Sequence, residues 1–151
     1  MNFTGRKLEN PKTRSLDFPL VEKYMATDEV TLSPDMLIHE AIDILLDHKL
    51  TGAPVLDGER NIVGFITEKD CLRLMIDGAY NNLPYDDNKV SNYMSPVVKT
   101  VTLEHDILDV ANEFLTTHFR KFPVVHDGKL VGQVSRRDIL KAIREVNNTT
   151  W

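Results

Sequence analysis

Apolar positions in this chain alternate between two spacings, and the same succession of spacings occurs twice. Val30-Thr31-Leu32 is a short extended stretch. Leu37, Ile38, Ala41, Ile42, Leu45 and Leu46 then recur three and four residues apart, the period of a half-buried helix. Ser33-Pro34-Asp35 predicts the start of that helix through side-chain capping and an early proline, and Thr51-Gly52 predicts its end. Pro54-Val55-Leu56 and Ile62-Val63-Gly64-Phe65-Ile66 flank Asp57-Gly58, the signature of an antiparallel hairpin. A second helix is expected from Glu68 to about Ile76.

The second half repeats each step. Met94-Ser95-Pro96 matches Met25-Ala26-Thr27, and Val101-Thr102-Leu103 matches Val30-Thr31-Leu32. A helix carries Ile107, Leu108, Val110, Ala111, Phe114 and Leu115. Pro123-Val124-Val125, Asp127-Gly128 and residues 130–134 predict another hairpin, and a last helix is expected from Arg136 to about Val146. The match is tightest at residues 62–72 and 130–140, which share one pattern: two apolar residues, Gly, any residue, apolar, Ser or Thr, two residues, Asp, two apolar residues. The two copies stand 68 residues apart, Gly64 to Gly132. The fold class predicted is α/β (α+β), two β-α-β-β-α repeats with small mixed sheets covered by helices. The boundaries expected are a lead-in over 1–20, repeats at 21–77 and 90–147, a linker at 78–89 and a tail at 148–151. A unit of about 60 residues buries too little to be comfortable alone, so the two are expected to pair sheet to sheet.

Composition narrows the function more than the fold. The net charge of -5 argues against nonspecific nucleic-acid binding. No apolar run reaches the roughly 18 residues that cross a bilayer, and the polar N-terminus resembles no signal peptide. The single cysteine, Cys71, excludes an internal disulfide framework and fits a reducing compartment, with the cytoplasm as the expectation. In its apolar setting it reads as a small buried hydrophobe. Charge is uneven: residues 116–145 carry a net of +4, residues 35–60 a net of -4. Most of these charges read as solvated helix faces, yet the second half offers the better surroundings for an anion. The five histidines show no metal-ligand spacing, no Gly-rich phosphate loop or nucleophile elbow occurs, and no metal or catalytic group is expected. His39 and His105 are expected on solvent-facing helix surfaces, and His118 stands near the basic Arg120-Lys121.

The remaining chemistry lies in Thr67-x-x-Asp70 and Ser135-x-x-Asp138. Taken singly, each is a helix capping box, hydroxyl and carboxylate satisfying each other's backbone. Taken together, with a Gly in the preceding strand and the anion-favouring start of a helix, they suit a sugar-bearing, phosphorylated ligand. An ionised Asp can accept from both hydroxyls of a ribose.

Each half resembles a cystathionine-β-synthase (CBS) domain, and the pair resembles a Bateman module over roughly residues 16–147. The carriers are Met25 and Met94, Ala41 and Ala111, Pro54-Val55 and Pro123-Val124, and the two Gly-x-apolar-Ser/Thr-x-x-Asp segments. The resemblance implies a pseudo-twofold pair with two clefts, a homodimer through the helices, and an adenosine ligand such as AMP, ADP or ATP. It leaves S-adenosylmethionine, NAD, a dinucleotide messenger or a structural module with vestigial clefts open, together with the role of Mg²⁺. It places Asp138 and Asp70 on ribose hydroxyls, Ser135 and Thr67 on phosphate or sugar, and Arg120 and Lys121 on phosphate oxygens. Their counterparts Thr51 and Gly52 bring no charge. The segments after each initial Met, Thr27 to Thr31 and Ser95 to Thr100, would line the clefts crosswise, with Thr27 and Val30, Ser95 and Val98 among them. Arg136 and Arg137 follow Ser135, whereas Glu68 and Lys69 follow Thr67. The cleft of Asp138, with Ser135, Arg120, Lys121, Arg137, Thr27, Val30 and Thr51, is therefore expected to bind more tightly than that of Asp70, with Thr67, Gly52, Ser95 and Val98. With Trp151 ending the chain soon after the last helix, the output is expected to reach an unidentified effector protein or self-association.

Overall fold

The computed structural model describes residues 17–80, 88–96 and 98–150. Most of the expected lead-in, the middle of the expected linker (81–87) and Trp151 lie outside the described residues. The elements in chain order are α1 (Ile38–Asp47), β1 (Gly52–Leu56), β2 (Ile62–Thr67), α2 (Glu68–Tyr80), β3 (Val101–Thr102), α3 (Ile107–Thr116), β4 (Lys121–His126), β5 (Lys129–Ser135) and α4 (Arg136–Thr150). Short 3₁₀ turns at Val21–Lys23 and Val90–Asn92 precede the two halves. The mixed α+β class and the repeated element order match the sequence expectation.

Two compact units divide the chain, and their membership crosses the sequence repeat. One takes residues up to Glu29 together with Lys99 onward; the other runs Val30–Val98. In the first, β3 lies parallel to β4, and β4 pairs antiparallel with β5. Ala26 joins the free edge of β5, exchanging both backbone bonds with Gln133 at 2.8 and 2.9 Å. In the second, Leu32 bridges parallel to Val55, β1 pairs antiparallel with β2, and Ser95 takes the edge position against Phe65. The lead segment beginning at Met25 therefore completes the sheet of the later repeat, and the segment beginning at Met94 that of the earlier one.

A glycine permits each edge pairing. A Cβ on Gly132 would lie 2.7 Å from the Ala26 carbonyl oxygen and equally close to the Met25 sulfur. One on Gly64 would lie 3.0 Å from the Ser95 carbonyl oxygen and drive into Met94. The shared glycine of the repeated pattern is thus where a neighbouring strand passes too close for a side chain. In the first unit the helix-covered face buries Phe122, Val124 and Val134 with Ile107, Val110, Phe114, Ile139 and Ala142; the Phe114 and Phe122 rings stack at 4.4 Å. In the second, Ile38, Ala41 and Leu45 of α1 pack on Ala53, Val55 and Ile66, closed by Val90 and Tyr93. Cys71 packs half-buried against that cluster, and burial, with Asp70 and Glu68 beside it, raises its thiol pKa.

Several local expectations change. Ser33-Pro34 forms a turn closed by the Met36 N–H on the Ser33 carbonyl, and α1 starts later, at Ile38, with no side-chain cap. The Ile38 amide instead donates to the Asn88 carbonyl at 2.8 Å, a partner 50 positions along the chain. The helix ends before Thr51-Gly52. Lys49 takes the left-handed conformation (φ 55°), Leu50 N–H bonds Leu45 O, and Lys49 N–H bonds Leu46 O, the two bonds of a Schellman close. Gly52 is required elsewhere: its Cβ would meet the Ile66 carbonyl at 2.8 Å. The two hairpins also differ. Asp127 (φ 51°) and Gly128 (φ 79°) make a two-residue turn, whereas β1 and β2 are joined by five residues. Asp57 ties that loop by accepting from the Glu59 and Asn61 amides at 2.8 and 2.9 Å. Helix α2 continues through Gly78 to Tyr80, and α4 to Thr150, both longer than expected. His105 is not on a helix face; its Nδ1 accepts the Thr102 N–H at 3.1 Å in the turn before α3.

Replacing Gly132 by Ala is expected to cost about 1–3 kcal/mol in urea unfolding, since backbone rather than a mobile side chain obstructs the new methyl. Gly58→Ala, with nothing within 4 Å, is the control and should stay within about 0.5 kcal/mol of the native chain. An unchanged midpoint for Gly132→Ala would contradict the close approach.

Candidate functional site

In each unit a strand passes into a helix with no loop residue between them: β2 ends at Thr67 and α2 begins at Glu68, β5 ends at Ser135 and α4 begins at Arg136. The first amides of both helices therefore need local acceptors. The Ser135 hydroxyl accepts the Asp138 N–H at 3.1 Å, and Asp138 Oδ2 accepts the Ser135 N–H at 2.8 Å. Thr67 and Asp70 repeat this at 3.2 and 2.9 Å, with Thr67 Oγ1 also donating to the carboxylate at 3.0 Å. Both motifs do form capping boxes. The question for function is what remains uncommitted.

The two aspartates differ in that respect. Asp70 gives its second oxygen to the Arg73 guanidinium at 3.1 Å, and Arg73 also donates to the Tyr93 carbonyl at 2.8 Å. Asp138 has no such partner, and its Oδ1 is uncommitted among the described residues. The Ser135 hydroxyl proton is likewise ungiven, whereas that of Thr67 goes to Asp70.

Basic residues stand at positions next to the Ser135–Asp138 junction in its own unit. Register places Lys121 directly opposite Ser135 and Pro123 opposite Gln133. These four positions share the sheet face opposite the helix-covered one that holds Phe122 and Val134. Arg120 is exposed just before β4, and its carbonyl accepts the Arg136 N–H at 3.2 Å. Arg137 is exposed in the first turn of α4; Arg136 is tied to the Phe119 carbonyl at 3.0 Å. His118, exposed, stacks on Phe119 at 4.9 Å. Thr27 is exposed one residue beyond the Ala26 pairing, in the same unit as Ser135 and Asp138. Val30 and Thr51, expected beside them, belong to the other unit, where the Thr51 carbonyl accepts the Glu68 N–H at 2.9 Å. Thr67, Asp70, Gly52, Ser95 and Val98 fall together in that unit, with Gly52 and Val98 buried and Ser95 exposed at the sheet edge.

Gln133 escaped the sequence reading, and Glu29, within the 27–31 segment expected to line a cleft, was not singled out. Glu29 ends the lead segment of the first unit with both carboxylate oxygens shielded from solvent; the Gln133 side-chain and backbone amides stand near it but outside hydrogen-bond geometry. Gln133 is 6% exposed, and its side-chain oxygen has no donor either. Burial raises the Glu29 pKa; Gln133 and Lys121 nearby favour the charged form, and Asp28 opposes it. The Gln133 amide N–H is already given to Ala26. Aligning the two copies residue by residue gives the missing signal: Glu29 stands where the other repeat has Val98, Gln133 where it has Phe65, and Lys121 where it has Gly52. Among the described residues no group of His, Cys, Asp and Glu is placed to hold a metal ion.

A buried carboxyl with a raised pKa binds its proton more tightly in the folded chain than in the unfolded one. Its contribution is full below the ordinary value of 4.5 and is lost as pH rises through the folded value. Glu29→Gln removes this dependence. Its melting temperature relative to the native chain should therefore climb as pH rises from about 4 to 8. A constant difference across that window would show that Glu29 costs the fold nothing when charged.

A family model for the CBS domain matches residues 21–77 and 90–145. Uncharacterized protein MJ1225 of Methanocaldococcus jannaschii is 32% identical over 142 residues, which cover 94% of this chain and 49% of that protein. The chain thus spans about half of that relative's length. A crystal structure of CBSX2, a CBS-pair protein of Arabidopsis thaliana, in complex with AMP matches with a TM-score of 0.74 at 27% identity, covering 85% of this chain and 98% of that one. The CBS domain pair of protein MJ0100, in complex with 5′-methylthioadenosine and S-adenosyl-L-methionine, matches with a TM-score of 0.69 at 25% identity, over 85% of this chain and 98% of that one. Two sheet-and-helix units, each with its edge segment seated on the repeat's glycine and a Ser/Thr-x-x-Asp box at the strand-to-helix junction, together with both family matches, make this chain a member of the CBS domain family.

Proposed function

We propose that the chain is a non-catalytic regulatory module that binds an adenine nucleotide, AMP foremost, through the Ser135–Asp138 junction, more tightly than through Thr67–Asp70. The observation that carries this is the uncommitted Asp138 oxygen beside an uncommitted Ser135 hydroxyl. Asp138 Oδ1 accepts from a ribose hydroxyl while Oδ2 keeps its cap, so binding does not open the helix. Lys121, Arg120 and Arg137 supply charge-assisted partners for phosphate oxygens at the positive end of α4. At the other junction Arg73 already occupies the equivalent oxygen. The AMP complex of CBSX2 and the adenosine compounds held by MJ0100 support this ligand class.

Regulation follows from linkage. A ligand that binds one arrangement tenfold better than another biases it by about 1.4 kcal/mol, enough to redirect a partner. Self-association is one route for that output. Leu115 (85% exposed) and Leu140 (64%) lie on α3 and α4, and Leu72 (67%) and Met75 (70%) on α2. Helix faces this apolar in both units suit a homodimer.

Calorimetric titration with AMP tests the site. Asp138→Ala is expected to lose about 2 kcal/mol of binding, roughly 30-fold, and Asp70→Ala less than about threefold. Unchanged affinity in Asp138→Ala, or an equal loss in both variants, would overturn the ranking. Absence of any thermal shift with AMP, ADP, ATP, NAD or S-adenosylmethionine would instead favour a structural module, because a ligand at 100 times its dissociation constant adds about 2.7 kcal/mol. For the dimer, Leu115→Lys combined with Leu72→Lys should give a monomer in sedimentation at concentrations where the native chain is dimeric. Native sedimentation as a monomer would contradict the dimer.

A further inference from the structure

The polar cluster of Glu29, Gln133 and Lys121 has no equivalent in the other repeat, where Val98, Phe65 and Gly52 stand at the same positions. Three oxygens of this cluster, two on Glu29 and one on Gln133, are shielded from water and have no donor in hydrogen-bond geometry, although the Gln133 amides stand near Glu29. A buried acceptor without a well-placed donor is costly, so the cluster holds three such demands at one place. All three ask for the same thing, an N–H or O–H donor.

The location says what kind of donor. Gln133 lies two residues before Ser135 on β5, about 7 Å along the strand on the same face. That is comparable with the reach of a nucleoside from its sugar to the far edge of its base. Between them the face carries Lys121 opposite Ser135 and the ring of Pro123 opposite Gln133, a charged position at the sugar end and an apolar one at the base end. A second cation is a poor candidate for the vacant acceptors, because Lys121 already stands near Glu29. A neutral N–H donor on a flat ring fits both the unmet oxygens and the apolar wall.

We infer that Glu29, with Gln133, is the specificity-determining group of the Ser135–Asp138 site, accepting from the exocyclic amine of a 6-aminopurine and rejecting a 6-oxopurine. This rests on the adenine-nucleotide reading of that site proposed above and adds to it the side chains that read the base. A 6-oxopurine presents a carbonyl where the amine would be, acceptor against acceptor, and leaves the carboxylate unpaired. Sites built to hydrogen-bond a particular N–H discriminate strongly against analogues that lack it.

The test is calorimetric titration at pH 8 of AMP and inosine monophosphate against the native chain and three variants. The native chain should bind AMP at least about tenfold more tightly than inosine monophosphate. Glu29→Gln, of the same shape but offering a donor as well as an acceptor, should bring the two affinities within about threefold of each other. Glu29→Val, which copies the other repeat, should weaken AMP by about tenfold and leave inosine monophosphate unchanged. Asp138→Ala should weaken both ligands alike and preserve their ratio, because a ribose contact is blind to the base. If AMP binds and depends on Asp138, yet both Glu29 variants keep the native affinity and ratio, the base-reading role is overturned while the nucleotide site stands. If the native chain binds neither ligand, the site reading fails, and this inference with it. Melting temperatures of the free variants confirm folding independently of either result.

Discussion

A strand that becomes a helix without an intervening loop residue must satisfy the helix's first amides from its own last side chain and first turn. That constraint governs both junctions of this chain, and the repeated Ser/Thr-x-x-Asp segment is the answer to it. A hydroxyl or carboxylate in such a cap contributes about 1 kcal/mol, and a negative charge in the first turn adds a few tenths more. A carboxylate has two oxygens, however, and the cap consumes one. Whether the second is spent on the protein or held for a ligand decides whether a junction is structural or functional.

The two halves of the chain make opposite choices with the same backbone. At Asp70 the second oxygen is spent on Arg73, which also reaches the Tyr93 carbonyl and so ties α2 to the turn before the edge segment. At Asp138 nothing takes it among the described residues, and this copy has Lys121, Gln133 and Glu29 where the other copy is small or apolar. The two copies share what the fold requires, namely the glycines under the edge segments and the caps. They differ in the side chains on the sheet face away from the helices. Under the function proposed above, the second junction is the one equipped to bind.

The sequence was most legible where forces are local. Hairpins were readable from Asp57-Gly58 and Asp127-Gly128, and the caps from hydroxyl and carboxylate spacing, because each depends on residues within five positions of one another. Where partners are distant it was silent. Helix α1 starts at Ile38 and not after Ser33-Pro34 because its amide is met by Asn88; Ala26 belongs with Gln133, 107 positions away. Lys49 adopts a conformation usually left to glycine because the Schellman bonds and the packing of Leu45 and Leu50 hold it there, so Thr51-Gly52 drew attention to the wrong residue. For a related reason, nothing marked Glu29 within the 27–31 segment expected to line a cleft. A glutamate in a polar lead segment looks solvated until its neighbours across the sheet are known.

The central claim is that one aspartate serves the fold and the ligand at once, through different oxygens. Titrating the native chain with AMP and with 2′,3′-dideoxy-AMP tests it directly, since the protein is untouched and only the sugar hydroxyls are removed. The account predicts that the dideoxy compound binds at least about tenfold more weakly, the loss of a charge-assisted hydrogen bond. Equal affinities would mean that Asp138 does no more than cap its helix.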